Sequence, residues 1–393
     1  MTAARDLIKN TFGSSLRQSG IFVAFVAIVI VFAVINPTFL SASNLTNIVL
    51  QYSYILVLAI GMLFVIVLGQ IDLSVGSVVA LTGAVSAVLV IRHGLPWWMG
   101  VVAALLVGLA VGAFQGFWVA YVGIPGFIVT LAGMMMFRGL TYNVLDNVSL
   151  SPFPKGYYNI ANGFLNGLFG GYGVDIFTLV IFAIGVVGYA YFAWKARQDK
   201  LKYGQAVENI GFFIAKIVIV AAVVMAFAYK LSTARGLPIV LIILATLILV
   251  YGFVSQRTIF GRDVYAIGGN KTAAALSGIN VKSISFWVYV NMGFLAGVAG
   301  VLYSARMNGA QPSAGNMFEL DAIAACFVGG ASTTGGIGRV TGALVGGLVM
   351  AVLSNGMQLM GASTSTQQIV KGAVLLLAVA FDVYNKRRSG AAA

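Results

Sequence analysis

Long, uninterrupted runs of apolar residues, separated by short polar connections, dominate this chain of 393 residues. The runs consist of Val, Ile, Leu, Ala and Phe and lack the apolar/polar alternation that is typical of membrane-spanning strands. A helix needs about 20 residues to cross the hydrocarbon core, where it satisfies its own backbone hydrogen bonds. The pattern therefore predicts twelve crossings, at residues 20–36, 50–69, 75–91, 97–121, 126–140, 176–194, 210–229, 237–254, 284–304, 319–333, 340–358 and 367–383.

The predicted fold class is an all-α integral membrane protein. Residues 1–393 form one transmembrane domain, a polytopic helical bundle of about 12 crossings (10 to 12 plus broken or half helices), and the runs at 126–140 and 319–333 are short enough to be half-helices. Glycines four residues apart predict close helix packing, and packing within the chain is favoured over a dimer seam. These glycines are Gly108, Gly112, Gly116, Gly293, Gly297, Gly342 and Gly346.

Composition narrows the function classes. The chain is 60% hydrophobic and 8% charged, whereas about a quarter of the residues in a soluble domain are charged. The formal net charge of +13 does not indicate nucleic-acid binding, because the basic residues are scattered among short loops. The single histidine, His93, and the single cysteine, Cys326, leave no catalytic dyad, disulfide framework or cysteine metal site. A membrane enzyme is therefore disfavoured.

The basic residues predict the orientation of the bundle. With both termini in the cytoplasm, the cytoplasmic side comprises 195–209 within an inserted hairpin, the loop 255–283 and the C-terminal tail, while 141–175 is the longest external loop. The cytoplasmic segments are the more basic ones, as the positive-inside rule requires. Their basic residues are Lys195, Arg197, Lys200, Lys202, Arg257, Arg262, Lys271, Lys282, Lys386, Arg387 and Arg388.

Three polar segments interrupt the apolar pattern. In the first, 69–77, Asp72 and Ser74 suit helix N-cap positions, and the alternative is that they line a transport path directly. The second, 312–321, and the third, 124–133, also place flexible or capped backbone before a short apolar helix. Broken helices at membrane depth are tolerated where they are buried or line a cavity.

Isolated polar residues inside predicted spans have two interpretations. Gln115, Asn291, Asn355 and Gln358 could bind a hydroxyl-rich solute, although each is more typical of a hydrogen bond between helices. The candidates for a translocation path are Asp72, Ser74, Ser77, Thr130, Asn291, Asn316 and Asp321.

The cytoplasmic segment 260–280 carries the most informative pattern. Gly269 and Asn270 predict a turn, and the alanine-rich stretch that ends at Gly278 predicts a short helix with a glycine stop. The sequence before Thr272 imitates a phosphate loop, but Asn270 stands where that motif requires glycine before the lysine. We therefore expect no nucleotide site in this chain.

Four motifs resemble the permeases of monosaccharide ABC importers of the ribose, galactose and xylose type. They are GQIDLSVGS at 69–77, PGFIVTLAGM at 125–134, YAIGGNKTAAALSGI at 265–279 and ELDAIAACFVGGAS at 319–332. The resemblance follows nearly the whole chain in order. The hairpin near 176–229 and the sequence SAGN before ELDAIAAC make the chain most similar to the D-xylose permeases.

The resemblance implies a type II importer in a bacterial inner membrane. Its parts are two permease copies (a homodimer is the preferred form), two cytoplasmic ATPases that hold ATP and Mg, and an external sugar-binding protein. D-xylose is the preferred solute, with ribose or galactose as alternatives, and transport occurs by alternating access. The residues implied to couple to the ATPase are Tyr265, Gly268, Gly269, Asn270, Ala273, Ala274, Ser277 and Gly278, while Ala275 departs from the family pattern.

An ion-coupled secondary transporter is the competing class. It requires titratable residues deep within the spans, and this chain offers few. Asp72 and Asp321 lie near predicted helix ends, and Lys216 and Lys371 lie close enough to an interface to extend toward water. The sequence therefore favours a solute path without an internal charge relay.

Overall fold

A computed structural model describes residues 16–205 and 207–388. The described chain contains fifteen α-helices and one two-stranded ladder. The helices are α1 Leu16–Ile35, α2 Ala42–Val67, α3 Val75–Ala87, α4 Trp97–Phe117, α5 Gly126–Leu145, α6 Lys155–Asn162, α7 Ile176–Lys202, α8 Ile210–Ala234, α9 Ile239–Arg257, α10 Ile259–Gly269, α11 Lys271–Leu276, α12 Val281–Met307, α13 Phe318–Val328, α14 Val340–Leu359 and α15 Thr364–Arg388; strand β1, Phe164–Leu165, pairs with β2, Leu237–Pro238. Single π-helical turns, Val88–Arg92 and Trp118–Val122, extend α3 and α4.

The structure confirms an all-α polytopic bundle, with a helix at every predicted crossing. Nine helices in the described part of the chain are long and apolar enough to span a membrane, and α1 and α15 contain the shorter apolar stretches Gly20–Ile35 and Thr364–Ala380. The short helix predicted at 319–333 is confirmed, because α13 has only 11 residues. The half-helix predicted at 126–140 is wrong, since α5 continues for 20 residues to Leu145.

Helix α2 is the centre of the bundle, with 83% of its most apolar window buried. Its neighbour α12 also packs against α3 and α4. Two of the predicted glycine series meet in the α4–α12 contact, where a Cβ at Gly108 would overlap the Gly293 carbonyl oxygen and a Cβ at Gly293 would overlap that of Gly108. Packing within the chain therefore explains these glycines, as predicted.

The connections fall on two ends of the bundle. The end that carries the β1–β2 ladder, here termed the ladder face, also holds the bridge between Leu150 and Ala310 and the 2.7 Å ion pair between Arg92 and Asp146. At the opposite end, here termed the loop face, the Gly336 N–H donates to the Val67 carbonyl at 2.8 Å. Loops that the predicted orientation places on the same side of the membrane thus contact one another.

Helices α7 and α8 form the predicted hairpin and pack against each other. Only 6% of the most apolar window of either helix is buried, so nearly the whole surface of the hairpin faces outward. Helix α7 continues to Lys202, so the basic part of the segment 195–209 is helical rather than loop. Arg197 lies over the Phe213 ring, 5.1 Å from its centroid, and ties the two helices together near their connection.

Candidate functional site

The first helix break lies between α2 and α3. After Val67 the chain continues as a nonhelical segment alongside the start of α5: the Gly126 N–H donates to Gln70 Oε1 at 3.0 Å, and the Thr130 hydroxyl donates to the Ile71 carbonyl at 3.3 Å. Helix α3 begins only at Val75. The first contact satisfies the Gly126 N–H at the start of α5 and the second the Ile71 carbonyl of the break, so that each of these backbone groups has a partner.

A closed hydrogen-bond network holds this break. Asp72 Oδ1 accepts from the Ser74 N–H at 2.8 Å and from its hydroxyl at 2.7 Å, and the Gln115 side-chain amide donates to Ser74 Oγ at 2.7 Å. Asp72, Ser74 and Gln115 are all buried. Asp72 caps the chain one turn before α3, whereas Ser74 makes no side-chain cap of its own, which favours the structural interpretation of these residues.

The second break precedes α13. Residues 308–317 form a nonhelical segment that runs from the ladder face to the start of α13. Arg138 of α5 donates to the carbonyl groups of Pro312, at 3.2 Å, and of Ala314. A Cβ at Gly76 would overlap the Gly315 carbonyl oxygen, and a Cβ at Gly315, whose φ is +70°, would overlap that of Gly76. The two breaks therefore touch backbone to backbone.

A cavity of about 470 Å³ opens beside the second break. It lies between α2, α13, α14 and α15 and is here termed the vestibule. Side-chain amides, aromatic rings and one ion pair dominate its lining, a composition suited to a small solute with many hydroxyl groups. The polar and aromatic lining residues are Gln51, Tyr52, Tyr54, Asn316, Phe318, Asp321, Gln358, Thr364, Gln367, Gln368 and Lys371.

An ion pair crosses the vestibule wall. Lys371 Nζ of α15 donates to both carboxylate oxygens of Asp321 on α13, at 2.9 and 3.0 Å. Both side chains are largely buried, with exposed fractions of 22% and 19%. Sequence reasoning placed Lys371 toward an interface and did not pair it with Asp321; a lone lysine in the last span and a carboxylate at the start of a half-helix were the available signals.

The structure divides the predicted path residues into separate places. Asn316 and Asp321 line the vestibule, whereas the residues of the first break do not. Asn291 accepts a hydrogen bond from the Tyr251 hydroxyl and so joins α12 to α9. The remaining candidates, Ser77 of α3 and Thr130 of α5, are fully buried, and Ser77 Oγ has no hydrogen-bond partner among the described residues.

Sequence reasoning missed several vestibule residues. Gln51 lies in the first half of α2, and its buried Oε1 has no hydrogen-bond partner within the described part of the chain. Gln367 and Gln368 come from the start of α15. Gln51 could have been found as a polar residue between two apolar turns of one span. By contrast Asn355, which the sequence did single out, exchanges reciprocal hydrogen bonds with Asn44, at 2.8 and 3.0 Å.

The segment 255–283 folds into two helices at the loop face. Asn270 separates them and caps α11, because its Oδ1 accepts from the Ala273 N–H at 2.9 Å. Gly278 follows with φ of +86°, which confirms the predicted short helix and glycine stop. Helix α10 was not anticipated, and it reaches Gly269 at the predicted turn.

The last turns of helix α10 pack against the bundle. A Cβ at Gly268 would overlap the Val67 carbonyl oxygen, and the Tyr265 hydroxyl donates to the Gly338 carbonyl at 2.8 Å. Burial raises the pKa of the Tyr265 phenol above its ordinary value, with Arg339 opposing, so this hydroxyl remains a donor at neutral pH. Helix α10 thus contacts both the end of α2 and the loop that follows α13.

The predicted coupling residues point in two directions. Asn270, Ala273 and Ser277 are exposed, as are Gly269 and Gly278. Ala274 is buried and Gly268 packs against the bundle. Leu276, an apolar residue beside this set, is 86% exposed, which makes the outer surface of α11 suited to contact with another protein.

Among the described residues, no three His, Cys, Asp or Glu side chains cluster in a way that could hold a metal ion. Cys326 is buried, and its thiol donates to the Ala59 carbonyl at 3.3 Å. In the described part of the chain, polar groups cluster at the two breaks, in the vestibule and on the two faces.

Comparison with known proteins gives consistent matches over nearly the whole chain. The family model described as "Branched-chain amino acid transport system / permease component" matches residues 44–379. The chain is 40% identical to the xylose transport system permease protein XylH of Escherichia coli (strain K12) over 367 residues, covering 93% of this chain and 91% of that protein.

Other relatives agree with this match. The identity to XylH of Haemophilus influenzae is 38% over 372 residues, 94% of this chain and 97% of that protein. The ribose import permease protein RbsC of Escherichia coli (strain K12) is 34% identical over 373 residues, 95% of each chain. No solved structure matches the chain significantly.

Proposed function

The chain belongs to the family of permease components of branched-chain amino acid transport type, and from this membership we propose that it is the permease of an ATP-driven D-xylose importer. The vestibule is the observation that carries the proposal. It offers amide groups, tyrosines and a charge pair at a helix break within the bundle. Hydroxyl groups of a monosaccharide can both donate to and accept from such side chains.

The vestibule is proposed as the place where the sugar enters the permease. Its volume of about 470 Å³ lies within the range of small-molecule sites, about 300 to 1,000 Å³. Asn316 and Asp321 are the proposed path residues from the predicted set, and Gln51 joins them because its buried Oε1 has no partner in the part of the chain that the structure describes. Apart from the ion pair, the polar groups of this lining are uncharged, which suits brief contact with a passing sugar.

The loop face is proposed to be cytoplasmic, with both termini on that side of a bacterial inner membrane. The described segments on that face carry Lys195, Lys200, Lys202, Arg257, Arg262, Lys271 and Lys282, and the positive-inside rule places such segments in the cytoplasm. In this orientation the vestibule, which lies next to the second break, receives sugar from outside. The proposed partners are cytoplasmic ATPases, an external sugar-binding protein and a second copy of this chain.

Alternating access follows from how the loop face is connected. The outer surface of α11, including Asn270, Ala273 and Ser277, is proposed to contact the ATPase. Movement there would reach α2 through the contact of Gly268 with Val67, and α13 through the bond between Tyr265 and Gly338. Since α2 and α13 both line the vestibule, closure of the ATPases would change its width. In this proposal ATP and Mg are held by the partner subunits.

Reconstitution tests the proposal. The full chain is combined in liposomes with a candidate sugar ATPase and a xylose-binding protein, and ATPase activity and xylose uptake are measured. We expect both to require loaded binding protein. Stimulation by loaded ribose-binding protein alone would keep the importer and change the solute, which the 34% identity to ribose permeases makes the second candidate. Uptake that persists without ATP and collapses with an uncoupler would refute the importer.

A further inference from the structure

A second cavity, of about 780 Å³, opens at the loop face. Its walls are the π-helical turn that extends α4, the chain before α5, and the starts of α11 and α12. The polar side chains that line it are Gln70, Lys271, Thr272, Lys282 and Ser285, and the described lining includes no acidic residue. The proposed transport cycle makes no use of this cavity.

The charge of the cavity points to an anionic ligand. Lys271 and Lys282 are both exposed, and no ion pair is found for either of them among the described residues. Two ammonium groups without a carboxylate partner, next to the hydroxyl groups of Thr272 and Ser285, match the needs of a phosphate group.

The surroundings of the cavity point to the membrane interface. Tyr121 lines the cavity and is 48% exposed, and Trp118 and Trp287 on the adjoining helices are 37% and 54% exposed. Amphipathic aromatic rings at helix ends are typical of the level of the lipid headgroups. The apolar remainder of the lining, including Val119 and Val122, continues onto this aromatic surface.

We propose that this cavity binds the headgroup of an anionic phospholipid. The phosphate lies between Lys271 and Lys282, and the acyl chains follow the exposed surface of α4 and α12. The inference uses the proposed orientation, which places the cavity in the anionic cytoplasmic leaflet, and is independent of the solute. Because Lys271 begins α11, a bound lipid would contact the helix proposed to meet the ATPase.

Lipid titration of the purified, delipidated full chain tests this proposal. Bound phosphatidylglycerol is counted by native mass spectrometry, and the unfolding temperature is followed in the same titration. For the double variant Lys271→Gln/Lys282→Gln we expect binding about 30-fold weaker, since each basic residue near an anionic lipid contributes about a factor of five. The matched control Lys200→Gln/Lys202→Gln removes the same charge from α7 and should bind as the unmodified chain does.

Three results would overturn the lipid site. These are equal weakening in the control variant, equal binding of phosphatidylcholine, and equal stabilisation by inorganic phosphate, the last of which would assign the cavity to a free anion. Unchanged unfolding of the double variant in phosphatidylcholine verifies its fold. If the unmodified chain bound the anionic lipid but took up no xylose in the reconstituted system, the proposed function would be refuted and the lipid site would stand.

Discussion

The two helix breaks contain similar residues and differ in what their polar groups do. At the first break Asp72, Ser74 and Gln115 satisfy one another in a buried network. At the second, Asn316 and Asp321 face a cavity. A carboxylate near the start of an apolar helix thus holds a helix break in one place, and in the other it lines a cavity while paired with Lys371. The decisive difference is the neighbouring packing: α5 covers the first break, whereas the second borders the open space between α2 and α15.

The largest effect is expected where the two breaks touch. Gly76→Val or Gly315→Val places side-chain atoms inside the opposite carbonyl group, and position 315 also has a left-handed backbone. Since backbone cannot yield as a side chain does, we expect a loss above about 3 kcal/mol and little folded protein in membranes. Membrane yield and detergent unfolding measure this.

A matched control separates contact from glycine content. A Cβ at Gly188 in α7 would meet no atom of the described residues within 4 Å, and the backbone there is helical, so Gly188→Val should accumulate normally. If Gly76→Val and Gly315→Val both accumulated normally, the close contact between the two breaks would not be needed for folding. The two breaks could then not be compared as neighbouring parts of one packed region.

The second prediction concerns how the loop face communicates with the vestibule. Gly268→Ala forces α10 away from Val67, whereas Gly269→Ala, one residue later in the same turn, meets open space. We expect Gly268→Ala to lower sugar-stimulated ATPase activity and uptake at least tenfold in the reconstituted system, while Gly269→Ala stays within about twofold. Equal loss in both variants would place the effect at the partner surface instead.

The third prediction tests whether the ion pair in the vestibule wall contributes to sugar transport. Asp321→Asn leaves Lys371 unpaired inside the wall of the vestibule, and Lys371→Met leaves Asp321 unpaired; either change should lower uptake about tenfold to a hundredfold. The double variant Asp321→Asn/Lys371→Met removes both charges and should recover folded yield but only part of the uptake. Uptake assays and thermal unfolding of all three variants measure the coupling.

Much of this fold could be predicted because lipid imposes one simple rule, the apolar helix of about 20 residues. The length of α5 was misjudged because a charged residue, Arg138, stands near the end of its apolar run. The structure gives that guanidinium a role inside the bundle, where it donates to the carbonyl groups of the second break. The vestibule could not be predicted. Its wall joins Gln51, Asp321 and Lys371 from distant helices, and only tertiary packing decides which polar residue faces a neighbour and which faces a cavity.

The smallest effects are expected from substitutions of Asp72 at the first break and Gln51 in the vestibule, and they test most directly which of the two regions contacts the sugar. Asp72→Asn keeps an oxygen that can accept from Ser74, so we expect a stability change of about 1 kcal/mol and an unchanged KM for sugar delivery. Gln51→Leu removes a buried, unpartnered Oε1, so stability should hold or rise while KM or kcat changes about twofold to tenfold. Thermal unfolding and uptake kinetics of both variants are the measurements. If Asp72→Asn changed KM and Gln51→Leu changed only stability, the first break would border the path and the vestibule would be a structural gap.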